Sequence, residues 1–86
     1  MTLEQLIDEA ETLKSEAKPD GFGIGLIIPL EDLERWVTKC VIYIDENGEN
    51  AFLNQKVQEN AKDLAKHGYQ KFSTILGVLK GIKESA

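Results

Sequence analysis

Four stretches of the chain carry apolar residues at spacings of three and four, the period that lines one face of an α-helix. In residues 2–17 the stripe is Leu3, Leu6, Ile7, Ala10, Leu13 and Ala17. Thr2 and Gln5 have the capping-box spacing, in which each side chain reaches the other residue's backbone N–H. Glu4, Asp8 and Glu9 follow near the positive end of the helix dipole. Pro19-Asp20-Gly21 closes the segment. In residues 29–46 the stripe is Leu33, Trp36, Val37, Cys40, Val41 and Ile44. Pro29 suits the first turn, where its missing N–H costs nothing, and Glu31 and Arg35 are a favourable pair four apart.

A strand competes for the end of this second segment. Val41-Ile42-Tyr43-Ile44 is rich in strand formers, and Asn47-Gly48 is a hairpin signal. Upstream, strict alternation fails: the polar pairs Glu34-Arg35 and Thr38-Lys39 are separated by apolar pairs, which is a helical pattern. Helix is therefore the expectation.

In residues 50–67 the stripe is thinner: Leu53, Val57, Ala61 and Leu64, widened by Phe52 and Ala65. In residues 69–84 it is strong: Tyr69, Phe72, Ile75, Leu76, Leu79 and Ile82. Gly48 and Gly68 are expected to close the second and third helices in the left-handed conformation that glycine takes without a Cβ clash. Lys66 and His67 before Gly68 suit the negative end of a helix dipole. Gly77 and Gly81 lie four apart inside the last helix. They mark either a close helix–helix approach or an open surface.

Four such stripes predict an all-α, four-helix bundle with one shared core, in a single domain over residues 1–86. Trp36, Cys40, Leu53, Phe72, Leu76 and Leu79 are expected in that core. Residues 18–29 form a glycine-rich connector that is nonetheless apolar. Phe22, Leu26, Ile27 and Ile28 either fold back over the bundle or form an interface with a partner or a second copy. Leu26 to Ile28 are expected to be anchored, with Lys18 to Gly21 mobile.

With 42% hydrophobic and 29% charged residues the chain falls in the globular class. It has no apolar run near the ~20 residues that span a bilayer, and no basic-then-apolar leader, so no secretory signal is expected. Its one cysteine, Cys40, excludes an intramolecular disulfide framework, which fits a cytoplasmic setting. The net charge is −5 and unevenly placed. Residues 1–50 hold twelve acids against Lys14, Lys18, Arg35 and Lys39, while the remainder holds six lysines against Glu59, Asp63 and Glu84. Either the two halves attract each other or the second presents a basic face to an acidic partner. The acidic balance argues against nucleic-acid binding, which rests on many phosphate contacts.

No motif supplies chemistry. Gly21-Phe22-Gly23-Ile24-Gly25 matches neither the dinucleotide nor the phosphate-loop spacing. Asp63 and His67 lie one helical turn apart, but a hydrolase would also need a nucleophile beside the imidazole, and Ser73 and Thr74 are only near in sequence. A histidine capping the third helix is the plainer reading. Cys40 sits on the buried stripe, where a thiol is inert. One His and one Cys make no zinc set, and Glu4, Asp8, Glu9 and Glu11 read as a solvated face. No catalytic, metal or cofactor residue is expected.

Glu34-Arg35-Trp36, followed by Gly68-Tyr69-Gln70-Lys71-Phe72-Ser73-Thr74-Ile75-Leu76-Gly77-Val78-Leu79-Lys80-Gly81-Ile82-Lys83, resembles a small helical domain found in many uncharacterised bacterial and phage proteins. There a tryptophan opens a central helix, and the last helix carries an aromatic and then Ile-Leu-x-x-Leu-Lys-x-Ile-Lys. The resemblance covers about the last fifty residues. It implies a helical accessory or interaction module with no catalytic residues. The functional expectation is thus non-catalytic protein–protein interaction or self-association. The alternatives are an inhibitor- or antitoxin-like partner-binding protein and, behind it, a small hydrolase or nucleotide-binding enzyme.

Overall fold

The computed structural model describes residues 1–19, 26–48 and 50–85, with the backbone alone for Leu26. Among these residues it contains four helices: α1 (Leu3–Glu16), α2 (Leu30–Asn47), α3 (Ala51–Asn60) and α4 (Gly68–Ser85). The architecture is the expected all-α four-helix bundle. Its extended backbone amounts to two two-residue strands, β1 (Lys18–Pro19) and β2 (Leu26–Ile27), paired antiparallel with Lys18 opposite Ile27 and Pro19 opposite Leu26. This ladder is a clasp between α1 and α2 rather than a layer.

Local chemistry explains most of the helix ends. Thr2 caps α1 through the capping box: its hydroxyl accepts from Gln5 N–H, and its own N–H donates to the Gln5 side chain. Pro29 stands one residue before α2, and its carbonyl accepts from Leu33 N–H. The strand-like Val41-Ile42-Tyr43-Ile44 lies wholly within α2, which continues to Asn47. Asn50 caps α3 by accepting from Leu53 N–H.

Short connections make sequential helices antiparallel. The ladder holds the end of α1 beside the start of α2. Pairs between α2 and α4 run in step, from Leu33 beside Gly68 to Trp36 packed against Phe72 with the rings tilted by 55° and their centroids 4.9 Å apart. These two long helices are thus co-directional and form the middle of the bundle. α1 and α3 each pack on both of them but not on each other. The molecule measures 40 × 22 × 20 Å.

The core draws on every helix. It contains Leu6, Ile7 and Ala10 of α1; Leu33, Trp36, Val37, Cys40 and Ile44 of α2; Val57 of α3; and Phe72, Ile75, Leu76 and Leu79 of α4. Ile28 and Leu64 join it from the connections. Trp36 is its hub. At 1% exposure its indole N–H donates to the Leu6 carbonyl across 2.9 Å, tying α2 to α1 while the ring packs on α4. Leu53, expected in the core, is only half-buried.

Among the described residues three ion pairs link helices: Glu9–Lys39 at 2.6 Å, Glu11–Lys80 at 2.7 Å and Glu4–Lys83 at 3.8 Å. The last two join the acidic first half of the chain to the lysines of the second, so some of that charge asymmetry is satisfied internally. Lys80 bonds to the Glu11 carboxylate and holds its carboxyl below the ordinary range. All three pairs are largely solvated, and such pairs add little to stability.

The third helix differs most from expectation. It ends at Asn60, not His67, and residues 61–67 form an irregular turn with Asp63 and His67 at φ 50° and 54°. Three features explain this. α3 has ten residues and a single fully buried one, Val57, too little to sustain a longer helix. Leu64 reaches the core from the turn instead. Lys71 of α4 then donates its ammonium to the carbonyls of Lys62 and Asp63, at 2.5 and 2.8 Å, fixing the turn from outside.

The expected left-handed glycine caps are also corrected. Gly48 does end α2, but at φ −81°. Glycine is needed there for space: a Cβ would overlap the Asn54 side chain and lie 2.5 Å from the Ile44 carbonyl oxygen. Gly68 begins α4 rather than ending α3, and a Cβ there would lie 3.0 Å from Leu33 Cδ2. The left-handed positions belong to Asp63 and His67. Gly77 and Gly81 face open space, so they are surface glycines and mark no helix contact.

Candidate functional site

The connector named as a candidate interface is divided by the fold. Phe22 and the run Gly21–Gly25 lie outside the described residues. Leu26 is placed by its backbone in β2. Ile28 is buried and anchors the clasp to the bundle, whereas Ile27 is 53% exposed. Lys18 and Pro19, expected to be mobile, are paired with Ile27 and Leu26. The covering reading of the connector therefore holds at Ile28, while Ile27 beside it stays exposed. Alternation along an extended backbone turns Ile28 inward and Ile27 outward.

Sequence reasoning did not single out Leu30, yet this first residue of α2 is 49% exposed. It lies three residues from Ile27, so chain length alone keeps their Cα atoms within about 11 Å. Glu31 and Glu34 are exposed beside it, and Asp32 is half-buried. The result is an apolar pair at the start of α2, with these acids on the helix side and the exposed Lys18 across the ladder from Ile27. Glu31 and Asp32 also favour the helix they open, because they face its positive end.

Asp63 and His67 do not form the helical pair that their spacing allowed, because both lie in the turn between α3 and α4. His67 is exposed. With Ser73, Thr74, Asn60, Tyr69, Gln70 and Lys71 it borders an open depression of about 500 Å³. The imidazole and the Ser73 hydroxyl thus share a rim, not an enclosed cleft. His67 does not cap α3; its carbonyl accepts from Lys71 N–H in the first turn of α4.

Cys40 is fully buried, and burial pushes its thiol up to about 12, with the Glu9 carboxylate adding to the shift and Lys39 opposing it. A thiol so placed stays protonated and is a poor nucleophile. Of the carboxylates in α1, Glu4, Glu9 and Glu11 are paired with lysines. Among the described residues no set of three His, Cys, Asp or Glu side chains is arranged to hold a metal ion.

A second open pocket, of about 430 Å³, lies where α2 ends, α3 begins and α4 ends. It is lined chiefly by Tyr43, Ile44, Asn47, Leu53, Asn54 and Ile82. Among the described residues, Asn54 Oδ1 is buried there without a hydrogen-bond partner.

The fold and its surface define a small helical bundle with an apolar pair exposed at the start of α2. The chain matches no family model, and neither the curated proteins nor the solved structures contain a match to it. Among the described residues no helix is long and apolar enough to cross a membrane.

Proposed function

We propose that the chain is a non-catalytic protein–protein interaction module, working in the cytoplasm, that grips a basic protein surface with the start of α2. The observation that carries this reading is the exposed pair Ile27 and Leu30 beside Glu31, Asp32 and Glu34. Exposed aliphatic side chains at the centre of a charged rim are the arrangement that buried contacts and electrostatic steering both use. The net charge of −5 points to a partner of opposite sign rather than to a second copy at this end, or to nucleic acid. An inhibitor or antitoxin is the form of this reading in which the partner is an enzyme. The resemblance of the Trp36 and Gly68–Lys83 segments to bacterial and phage accessory domains supports the same class.

The test is a double variant, Ile27→Asp with Leu30→Asp, compared with the parent chain for melting temperature, molar mass and co-purification from the source organism. Both residues are half-exposed, so melting should change little. A protein with a basic surface should be retained by the parent, lost from the variant and released by salt. If both chains retain the same proteins equally, the reading fails. It also fails if the parent alone is a dimer that the double variant splits, because the occupant of this end is then a second copy.

A further inference from the structure

Asn47 is the only asparagine of the chain that is followed by glycine. With no Cβ on Gly48, nothing on that residue hinders its backbone nitrogen from reaching the side-chain amide before it. In the folded chain both groups are held away from that reaction. The Gly48 N–H donates to the Ile44 carbonyl across 2.7 Å and closes the last turn of α2. Asn47 is exposed, and its Nδ2 donates to the Tyr43 carbonyl across 3.0 Å. The nucleophile and the leaving group are thus each tied to a carbonyl one turn back. The first turn of α3 covers them. A Cβ on Gly48 would overlap the Asn54 side chain, and Leu53 and Asn54 line the same pocket as Asn47 and Gly48.

We propose that Asn47 is a site of spontaneous deamidation whose rate is set by opening of the α2–α3 junction. When the last turn of α2 opens, the Gly48 nitrogen attacks Asn47 Cγ. A new C–N bond forms, the Cγ–Nδ2 bond breaks, and the amide group leaves as ammonia with the proton displaced from Gly48. Water then opens the cyclic imide. Cleavage of its bond to Cγ leaves aspartate at position 47, and cleavage at the main-chain carbonyl leaves isoaspartate, with the backbone running through the former side chain. Water is consumed, ammonia is released, and nothing is oxidised or reduced. Either product replaces the donor to the Tyr43 carbonyl with a carboxylate at the negative end of the α2 dipole, close to Asp45 and Glu46. Isoaspartate also adds a backbone methylene beside Gly48, where the Asn54 side chain and the Ile44 carbonyl leave no room. The change is therefore one-way, and it loosens the start of α3. It takes place at the opposite end of α2 from Ile27 and Leu30, so the partner surface proposed there is untouched.

The experiment follows the Asn47 peptide by mass spectrometry while the full chain is held at mildly alkaline pH, in native buffer and in guanidinium chloride. The folded parent should deamidate roughly 10-fold or more slowly than the unfolded one, because an open state populated at about one part in ten or less carries the reaction. Asn50→Ala removes the side-chain cap of α3 and should speed deamidation in native buffer but not in denaturant. Amide exchange at Gly48 should rise with it. Asn47→Asp, which reproduces one product, should also speed exchange at Gly48. A parent chain that deamidates as fast folded as unfolded overturns the proposal, as does one whose Asn47 stays intact in denaturant. So does an Asn50→Ala chain that loses the Asn47 amide no faster than the parent in native buffer, or an Asn47→Asp chain with unchanged exchange at Gly48.

Discussion

Replacing Trp36 with phenylalanine is the most incisive probe of how this bundle is held together. The change keeps an aromatic ring against Phe72 but removes the indole N–H that donates to the Leu6 carbonyl. The lost buried hydrogen bond costs about 1 kcal/mol, at the low end because Leu6's carbonyl keeps its partner within α1. Thinning a site that is 1% exposed removes packed atoms that the rigid helices around it do not replace, for about 1–2 kcal/mol more. The expected total is about 2–3 kcal/mol, against about 4–13 kcal/mol for the whole of an 86-residue domain. The melting temperature should fall by roughly 10–20 °C. Urea titration followed by circular dichroism gives the free energy, and the slope should stay the same because the fold does. In the parent chain the indole N–H of the only tryptophan should be strongly protected from deuterium exchange. A loss below about 0.5 kcal/mol, or an indole proton that exchanges as fast as a free one, would refute the assignment of Trp36 as the tie between α1, α2 and α4.

Two further expectations follow from particular contacts. The Cys40 thiol should resist alkylation at about pH 8 in the folded chain and react once urea unfolds it, because burial keeps it protonated. Its pKa is raised on folding from 9.0 to about 12, so the folded state holds its proton longer. That contribution to stability is full below about pH 9 and is lost as pH rises towards about 12. The urea midpoint of the parent should therefore fall more than that of Cys40→Ala between about pH 8 and about pH 10.5; equal falls would contradict the shift. Lys71→Met removes the two carbonyl contacts that fix the turn after α3 and should cost about 1 kcal/mol. Amide exchange should accelerate at Lys66 in that turn, and unchanged exchange there would show that the turn is held by other means.

The helices at the two strong stripes were legible in the chain because their signals are local. A capping box at Thr2 and Gln5, acids in a first turn and an apolar residue every three or four positions depend only on neighbours in sequence. The same is true of the buried set Trp36, Cys40, Phe72, Leu76 and Leu79, since only one face of each long helix is apolar enough to face inwards. Where the local signal was weak, distant residues decided. After α3 stops at Asn60, the turn is held by Lys71, eight and nine positions further on than the carbonyls it bonds. A stop signal read at Gly68 could not reveal that. Gly68 and Gly48 are glycines because Leu33 and Asn54 approach them, a matter of tertiary spacing and not of backbone angle. The exposed apolar positions are of the same kind. Phe52 and Ile27 looked like core or connector residues by hydrophobicity, and only the placement of α3 outside the α2–α4 pair, and of β2 at the end of the bundle, turned them outwards. Periodicity tells which face of a helix is apolar, but whether another helix covers that face is settled by the packing of the whole chain.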